Sequence, residues 1–507
     1  MIGDRHLSAD AIGSRIRSGL AWKAGSQLTL QLSRMGVALV LARLLAPHDW
    51  GLAAMVLAFS GFVVVFTDSA LGTALIQRRE LRPGDRSTVF WLSVVVGVLV
   101  AIAGVAVAGP MAGFYGEPAV RPLFAALSIG FAVSALGSTQ MALLIRDMQF
   151  KRLELRQMGA TIVGAAAGIS IAVAGFGPWA IVGQQLAEVT MSTVLLWTLS
   201  TWRPSATFSL ASLRRLGGFA ANVFGQNVIY QSGRNVGNVL IGRLLGPASV
   251  GVYGLATNVI LLPFARVAGP LQQVFFPAFS RMTDDRERLA DVWIRATRLV
   301  ALISIPPLVG LAVVAPDFVH VVLGDRWHRA TVVIQILVVV GIVQALQTLN
   351  AEVLLALDKA GTLLRFTMLS FVGTIGACII GVHWGIVGVA ACYAAVNLSV
   401  EPLNAYLTTR ALGIPLRRFV GAFKGITQAA LLMAAGLLAS RAALLRVDVP
   451  TGARLALLIL VGGFVFIGSC VWRAPEITVE LKAAMRHRRE GRVPRADVIE
   501  PSASPIG

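Results

Sequence analysis

Fourteen long apolar stretches separated by short polar breaks run through this chain, at roughly residues 20–46, 50–76, 88–110, 120–145, 158–175, 178–201, 216–246, 249–276, 292–315, 330–357, 363–382, 384–409, 419–441 and 454–473. About 20 apolar residues suffice to cross a bilayer as a helix. No water reaches the hydrocarbon layer, so a crossing segment must bond its own backbone, as a helix or in a closed barrel. The ten-residue alternating segments of a barrel are missing. The chain therefore reads as an all-α integral membrane protein of about 14 transmembrane helices. Its residues are 56% hydrophobic and 14% charged, against about 25% charged in a soluble domain, which excludes an ordinary cytosolic enzyme. A net charge of +19 would suggest nucleic acid in a soluble protein. Here the excess lies in loops, where membrane topology accounts for it, and no nucleic-acid partner is expected.

The loop charges also orient the chain. With the N-terminus in the cytoplasm, Lys and Arg crowd one side: Arg15, Arg17 and Lys23, then Arg78 to Arg86, Arg146 to Arg156, Arg203 to Arg215, Arg281 to Arg298, Arg410 to Arg418, and the tail after Arg473. The other side receives only scattered cations such as Arg121, Arg326, Arg441 and Arg454. Both termini are expected in the cytoplasm, with residues 1–19 as a polar leading segment and 474–507 as a basic tail of disorder-prone composition. The chain repeats itself at an offset of 200: Gln31/Gln231, Arg34/Arg234, Arg43/Arg243, Pro47/Pro247 and Gly51/Gly251 are identical pairs. The first span thus matches the seventh. The expected organisation is two pseudo-symmetric six-helix bundles, 20–201 and 214–410, related by an axis along the membrane normal, with two additional helices in 419–473. Transporters built this way hold substrate at the repeat interface.

An Arg at the centre of a membrane helix costs roughly 2.5–3.5 kcal/mol on the insertion scale, so those present are functional candidates. Arg34 and Arg234 fall mid-span. Gln27, Gln31 and Arg34 share one helical face, and Asn227, Gln231, Arg234 and Asn238 form the matching stripe. Such stripes face a partner helix or a water-filled cavity. Arg266 lies between Pro263 and Pro270 in the eighth span. Asp68, Glu188, Glu352 and Glu401 are candidates for pairing with these cations or for carrying a coupling ion, and the sequence leaves both open. Arg43 and Arg243, near helix ends, suit a structural role at the interface. No G-x-x-x-x-G-K-[ST] motif, catalytic-serine motif or Cys/His cluster is present. The three cysteines, Cys378, Cys392 and Cys470, lie in apolar runs. No cofactor, metal or catalytic residue is expected.

The fourteen spans, the run Leu41-Ala42-Arg43-Leu44-Leu45-Ala46-Pro47-His48-Asp49-Trp50-Gly51, and Ser18-Gly19-Leu20-Ala21-Trp22 followed by Gln27 and Arg34 resemble the Wzx-like polysaccharide branch of the multidrug/oligosaccharidyl-lipid/polysaccharide exporter superfamily. The resemblance covers about residues 15–473. It implies a flippase of the bacterial inner membrane that moves polyprenyl-diphosphate-linked oligosaccharide units outward for lipopolysaccharide or exopolysaccharide synthesis by alternating access. It also implies a polysaccharide polymerase and chain-length machinery as partners. By position, Arg34, Arg234 and Arg266 would hold the diphosphate, a role that suits the guanidinium fork, while the Gln and Asn stripes would meet sugar hydroxyls. The alternatives are an ion-coupled drug exporter of the same fold, which would want an acidic cavity, and a membrane polymerase or ligase, which would want a large outer loop. Membrane potential, proton or sodium antiport and trapping outside the membrane all remain open as driving forces.

Overall fold

The computed structural model describes residues 30, 31, 33–64, 75, 83–209 and 235–473. Among the described residues there is no strand, and eight stretches are long and apolar enough to cross a membrane. The chain is thus a multi-pass, all-helical membrane protein. Helix α1 covers residues 33–44, followed by α2 (Pro47–Val64), α3 (Pro83–Tyr115), α4 (Val120–Arg146), α5 (Phe150–Val173) and α6 (Trp179–Leu199). Helix α7 covers residues 235–245. Then come α8 (Pro247–Ser280), α9 (Arg286–Phe318), α10 (His328–Gln347), α11 (Asn350–Ala356), α12 (Ala360–Gly381), α13 (Gly385–Leu412), α14 (Leu416–Gly421), α15 (Lys424–Arg446) and α16 (Thr451–Arg473).

The breaks follow local chemistry. Gly175 and Gly246 end their helices in the left-handed conformation, at φ 81° and 78°, which Gly adopts without a Cβ penalty. Pro247 then opens α8 at the position where its missing N–H costs nothing. One expected span, 330–357, is broken. Thr348 turns its hydroxyl back onto the Gln344 and Ala345 carbonyls, at 3.1 and 3.0 Å, and the helix stops there. The Thr348 carbonyl accepts instead from Gln272 Nε2 of α8 at 2.9 Å. Side-chain bonds of this kind compete with the helix ladder, and α11 begins anew at Asn350.

Two compact units are present. The first gathers the chain up to Val259 with Val322–Val333 and Phe371–Val396. The second gathers Ile260–Val321, Ile334–Ser370 and the chain from Asn397. In the first unit Met55, Leu123, Val182, Ile241 and Val389 share one buried cluster. Trp327 is fully buried there, donates to the Ala42 carbonyl at 2.7 Å and meets Trp50 edge-on. The repeat-matched helix starts meet reciprocally in the same unit. A Cβ on Gly51 would lie 1.7 Å from the Pro247 carbonyl oxygen, and one on Gly251 would lie 2.0 Å from that of Pro47. Residue i touching j while the symmetry mate of i touches that of j is the mark of an isologous, two-fold contact. In the second unit Trp293 stacks on Phe419 at 4.5 Å inside a cluster drawn from α8, α9, α11, α13, α14 and α15. Arg418 of α14 bonds Glu287 at 2.5 Å and Asp291 at 2.9 Å, tying α14 to the start of α9.

Candidate functional site

In the first unit a set of polar side chains lines a cavity of about 250 Å³ between parts of α1, α4, α5 and α6. Small residues let these helices approach. A Cβ on Gly164 would sit 2.9 Å from the Glu188 Cβ, and one on Gly168 would sit 2.8 Å from the Gln184 Cβ. Helices α5 and α6 therefore pack nearly backbone to backbone along this seam. On α4, Ser134, Gly137 and Ser138 leave the space that becomes the cavity.

Glu188 is the hub. Its Oε1 accepts from Arg34 Nη2 at 2.8 Å, from Gln157 Nε2 at 2.9 Å and from Thr161 Oγ1 at 3.1 Å. Arg156 continues the network, donating from Nη1 to Ser192 Oγ at 2.7 Å and from Nη2 to Gln157 Oε1 at 2.9 Å. Charge-assisted bonds of this kind are shorter and stronger than neutral ones. Among the described residues three charged side chains line the cavity, two guanidinium groups and one carboxylate, and together they carry a net charge of +1. The Arg34 side chain is 47% exposed, whereas that of Glu188 is 15% exposed. Arg34 is thus the accessible partner of the pair and Glu188 the buried one. An incoming anion would meet Arg34 first.

Of the residues singled out in the sequence, the structure brings Arg34 and Glu188 into contact. Gln31 sits half-buried one turn before Arg34, and Asn238 is half-buried in α7. Arg266 lies within α8, which runs unbroken through Pro263 and Pro270. Glu352 stands in the first turn of α11, just past the Thr348 break, where a helix N-terminus favours an acid. Its Oε2 has no hydrogen-bond partner among the described residues. Glu401 immediately precedes Pro402 inside α13. Gln27, Asp68, Asn227, Gln231 and Arg234 lie outside the described residues, as do 1–19 and 474–507. Arg243 places its guanidinium 5.8 Å from the Phe114 ring centre, a cation–π contact.

Arg156 corrects the sequence reading. Its place among the loop cations followed from starting the span at residue 158. Helix α5 starts at Phe150, and Arg156 is 8% exposed on the cavity wall. The available signal was the polar series Arg156, Gln157 and Thr161, continued by Gly164 and Gly168, at helical spacing on one side of an otherwise apolar segment.

A model of the polysaccharide biosynthesis protein family matches residues 40–333. The chain belongs to this family. Among its relatives, the lipopolysaccharide biosynthesis protein WzxC of Escherichia coli (strain K12) is 26% identical over 80% of this chain and 83% of that protein. The teichuronic acid biosynthesis protein TuaB of Bacillus subtilis (strain 168) is 24% identical over 74% of this chain and 80% of its own length. Among solved structures, the lipid II flippase MurJ in an inward closed conformation superposes with a TM-score of 0.70 at 14% identity, covering 92% of this chain and 99% of that one. At that identity the likeness establishes the fold, and it extends over nearly all of the family member described here.

Proposed function

We propose that the chain is a flippase that carries polyprenyl-diphosphate-linked oligosaccharide units from the inner to the outer leaflet of a bacterial cytoplasmic membrane, for polysaccharide synthesis outside it. The observation that carries this reading is the net-positive cavity in which an exposed Arg34 is held by Glu188 and backed by buried Arg156. Family membership and the flippase fold agree with it. A volume of about 250 Å³ falls below the 300–1,000 Å³ of pockets that enclose a drug-sized ligand. The chamber thus suits a phosphate group of a larger cargo, with sugars and lipid outside it. Hydroxyls of Ser134 and Ser192 supply donors beside the guanidinium groups, while that of Ser138 is spent on the Ala135 carbonyl. A net-positive wall disfavours the cationic drugs that an exporter of similar fold would take.

In this reading Arg234 and Arg266 complete the diphosphate site from the second half of the repeat, and the Gln27, Gln31, Asn227, Gln231 and Asn238 stripes meet the sugars. Two six-helix bundles, 20–201 and 214–410, rock about the cargo while both termini stay in the cytoplasm. A polysaccharide polymerase with its chain-length machinery receives the product. The membrane potential supplies direction. Moving one charge through 100 mV is worth about 2.3 kcal/mol, so a cargo with about two negative charges gains roughly 4–5 kcal/mol on leaving an inside-negative compartment.

The test uses the full chain in vesicles loaded with a polyprenyl-diphosphate-linked sugar, read by exposure of that sugar to an external reagent. Arg34→Ala is expected to lower the flipping rate at least tenfold, and Arg34→Lys less, because a point charge loses the bidentate fork. Undiminished flipping by an Arg34→Ala, Arg156→Ala double variant that is folded and inserted would refute the site.

A further inference from the structure

A second charged cluster lies far along the chain from Arg34, in the other compact unit, and the proposed transport step does not use it. Asp317, 1% exposed in the last turn of α9, accepts on Oδ2 from Arg441 Nε at 2.8 Å and on Oδ1 from Arg454 Nε at 2.8 Å, with Arg454 Nη2 bonded to Oδ1 as well. Two cations share one anion, which leaves a net charge of +1. These bonds occupy Nε of Arg441 and Nε and Nη2 of Arg454. Both terminal amino groups of Arg441 and Nη1 of Arg454 are left without a partner among the described residues, on side chains 25% and 13% exposed. Guanidinium donors in excess over their carboxylate suit an incoming phosphate.

The cluster adjoins residues that line one end of a groove. A trough of about 390 Å³ runs between α9, α15 and α16, lined by residues such as Pro307, Gly310, Met433, Leu458, Gly463 and Phe466. Among the described residues no charged or hydroxyl side chain lines it. Its upper lining is continuous with the cluster: Val314 and Phe318 straddle Asp317, Leu455 follows Arg454, and Leu437 stands one turn before Arg441. Two glycines keep the trough open. A Cβ on Gly463 would meet nothing within 4 Å, and one on Gly310 would reach only the Met433 methyl at 3.8 Å. Gly463 lies nine residues along α16 from Arg454, about 13 Å at 1.5 Å per residue. That is close to the half-thickness of the hydrocarbon layer, about 15 Å.

We infer that this groove is a phospholipid site, in which one acyl chain of an anionic phospholipid fills the trough between α9 and the α15–α16 pair while its phosphodiester is held by Arg441 and Arg454. The occupant follows from shape and charge. A purely apolar trough of leaflet depth takes a hydrocarbon chain and repels sugar. A net charge of +1 at its mouth matches the single negative charge of a phosphodiester and falls short of the two or so carried by a diphosphate cargo. By the loop charges, the 446–451 connection faces outward, so the lipid belongs to the outer leaflet. The bound lipid would clamp the terminal helix pair against α9, independently of the Arg34 cavity.

The full-length protein is reconstituted with phosphatidylethanolamine and phosphatidylglycerol, extracted in mild detergent, and weighed by native mass spectrometry. The wild type is expected to retain one phosphatidylglycerol. Arg441→Gln leaves the Arg454–Asp317 pair intact and neutral, and is expected to abolish the preference for phosphatidylglycerol over phosphatidylethanolamine. Gly463→Phe leaves the cluster intact and fills the trough, and is expected to lower the lipid-bound fraction at least tenfold. Should Arg441→Gln fail to fold, the Gly463→Phe result decides alone. Retention of no lipid, equal retention of both lipids by the wild type, or an adduct with the mass of a polyprenyl carrier would overturn the assignment. Flipping assays on Gly463→Phe keep this outcome separate from that of the proposed transport function.

Discussion

The reciprocal contact of the repeat-matched helix starts allows a quantitative test. Replacing Gly51 with Ala places a carbon 1.7 Å from the Pro247 carbonyl oxygen, where C···O contacts normally stand at about 3.3–3.6 Å. The obstacle is backbone, so no side-chain rotation relieves it, and α2 must part from α8 by well over an ångström. Overpacking costs about 1–3 kcal/mol, and the rigidity of both partners places this case near 3. Against it stands the gain of about 1 kcal/mol from Gly to Ala inside a helix. The net is about 2 kcal/mol, or roughly 30-fold against the closed contact at tenfold per 1.4 kcal/mol. Gly251→Ala, at 2.0 Å from the Pro47 carbonyl oxygen, should behave alike. Because one separation relieves both clashes while each Ala adds its own helix gain, the double variant should cost no more than either single one, a coupling that a double-mutant cycle reads directly. Spin labels at the exposed, repeat-matched positions His48 and Ala248, on a background lacking Cys378, Cys392 and Cys470, report the distance by pulsed electron resonance. Each single variant is expected to lengthen it, with the double variant near the singles. Strictly additive costs, or a net stabilisation by Gly51→Ala, would refute the two-fold contact.

Other expectations address the ion networks and the driving force. Glu188→Gln removes the carboxylate that competes with cargo phosphate for Arg34, and should raise the affinity for inorganic pyrophosphate several-fold by calorimetry, with weaker binding counting against Arg34 as the phosphate ligand. Asp317→Asn strips the shared anion from two partly buried guanidinium groups; breaking such a network costs about 3–5 kcal/mol, so a clear fall in the melting temperature is expected, and an unchanged one would show that solvent already screens the cluster. Vesicles under an inside-negative potassium diffusion potential, without pH or sodium gradients, should flip cargo outward faster than under the reversed potential. A rate that ignores voltage but follows a proton or sodium gradient would reject the voltage-driven mechanism.

The helical class, the Gly and Pro breaks at 175–178 and 246–247 and the offset-200 repeat are all legible along the chain, because each depends on residues a few positions apart or on direct comparison of two segments. So is the oddity of Arg34, since the cost of a charge in a membrane helix needs no partner to be recognised. Which anion answers that charge is another matter. In one dimension Asp68 is the acid named as a counter-ion to Arg34, with Glu188, Glu352 and Glu401 offered to the arginine set as a whole. Glu188, 154 residues from Arg34, meets it because Gly164 and Gly168 let α5 and α6 close up and turn that face of α6 towards α1. The same packing draws Arg156 out of the loop cations and onto the cavity wall, and a carbonyl bond from distant Gln272 accommodates the break at Thr348. The lipid groove likewise exists only where Gly310 and Gly463, on helices far apart in sequence, face a common space. Periodicity along a helix states what each face is made of. Which faces meet is decided by steric fit between helices, and that information is spread over residues more than a hundred positions apart.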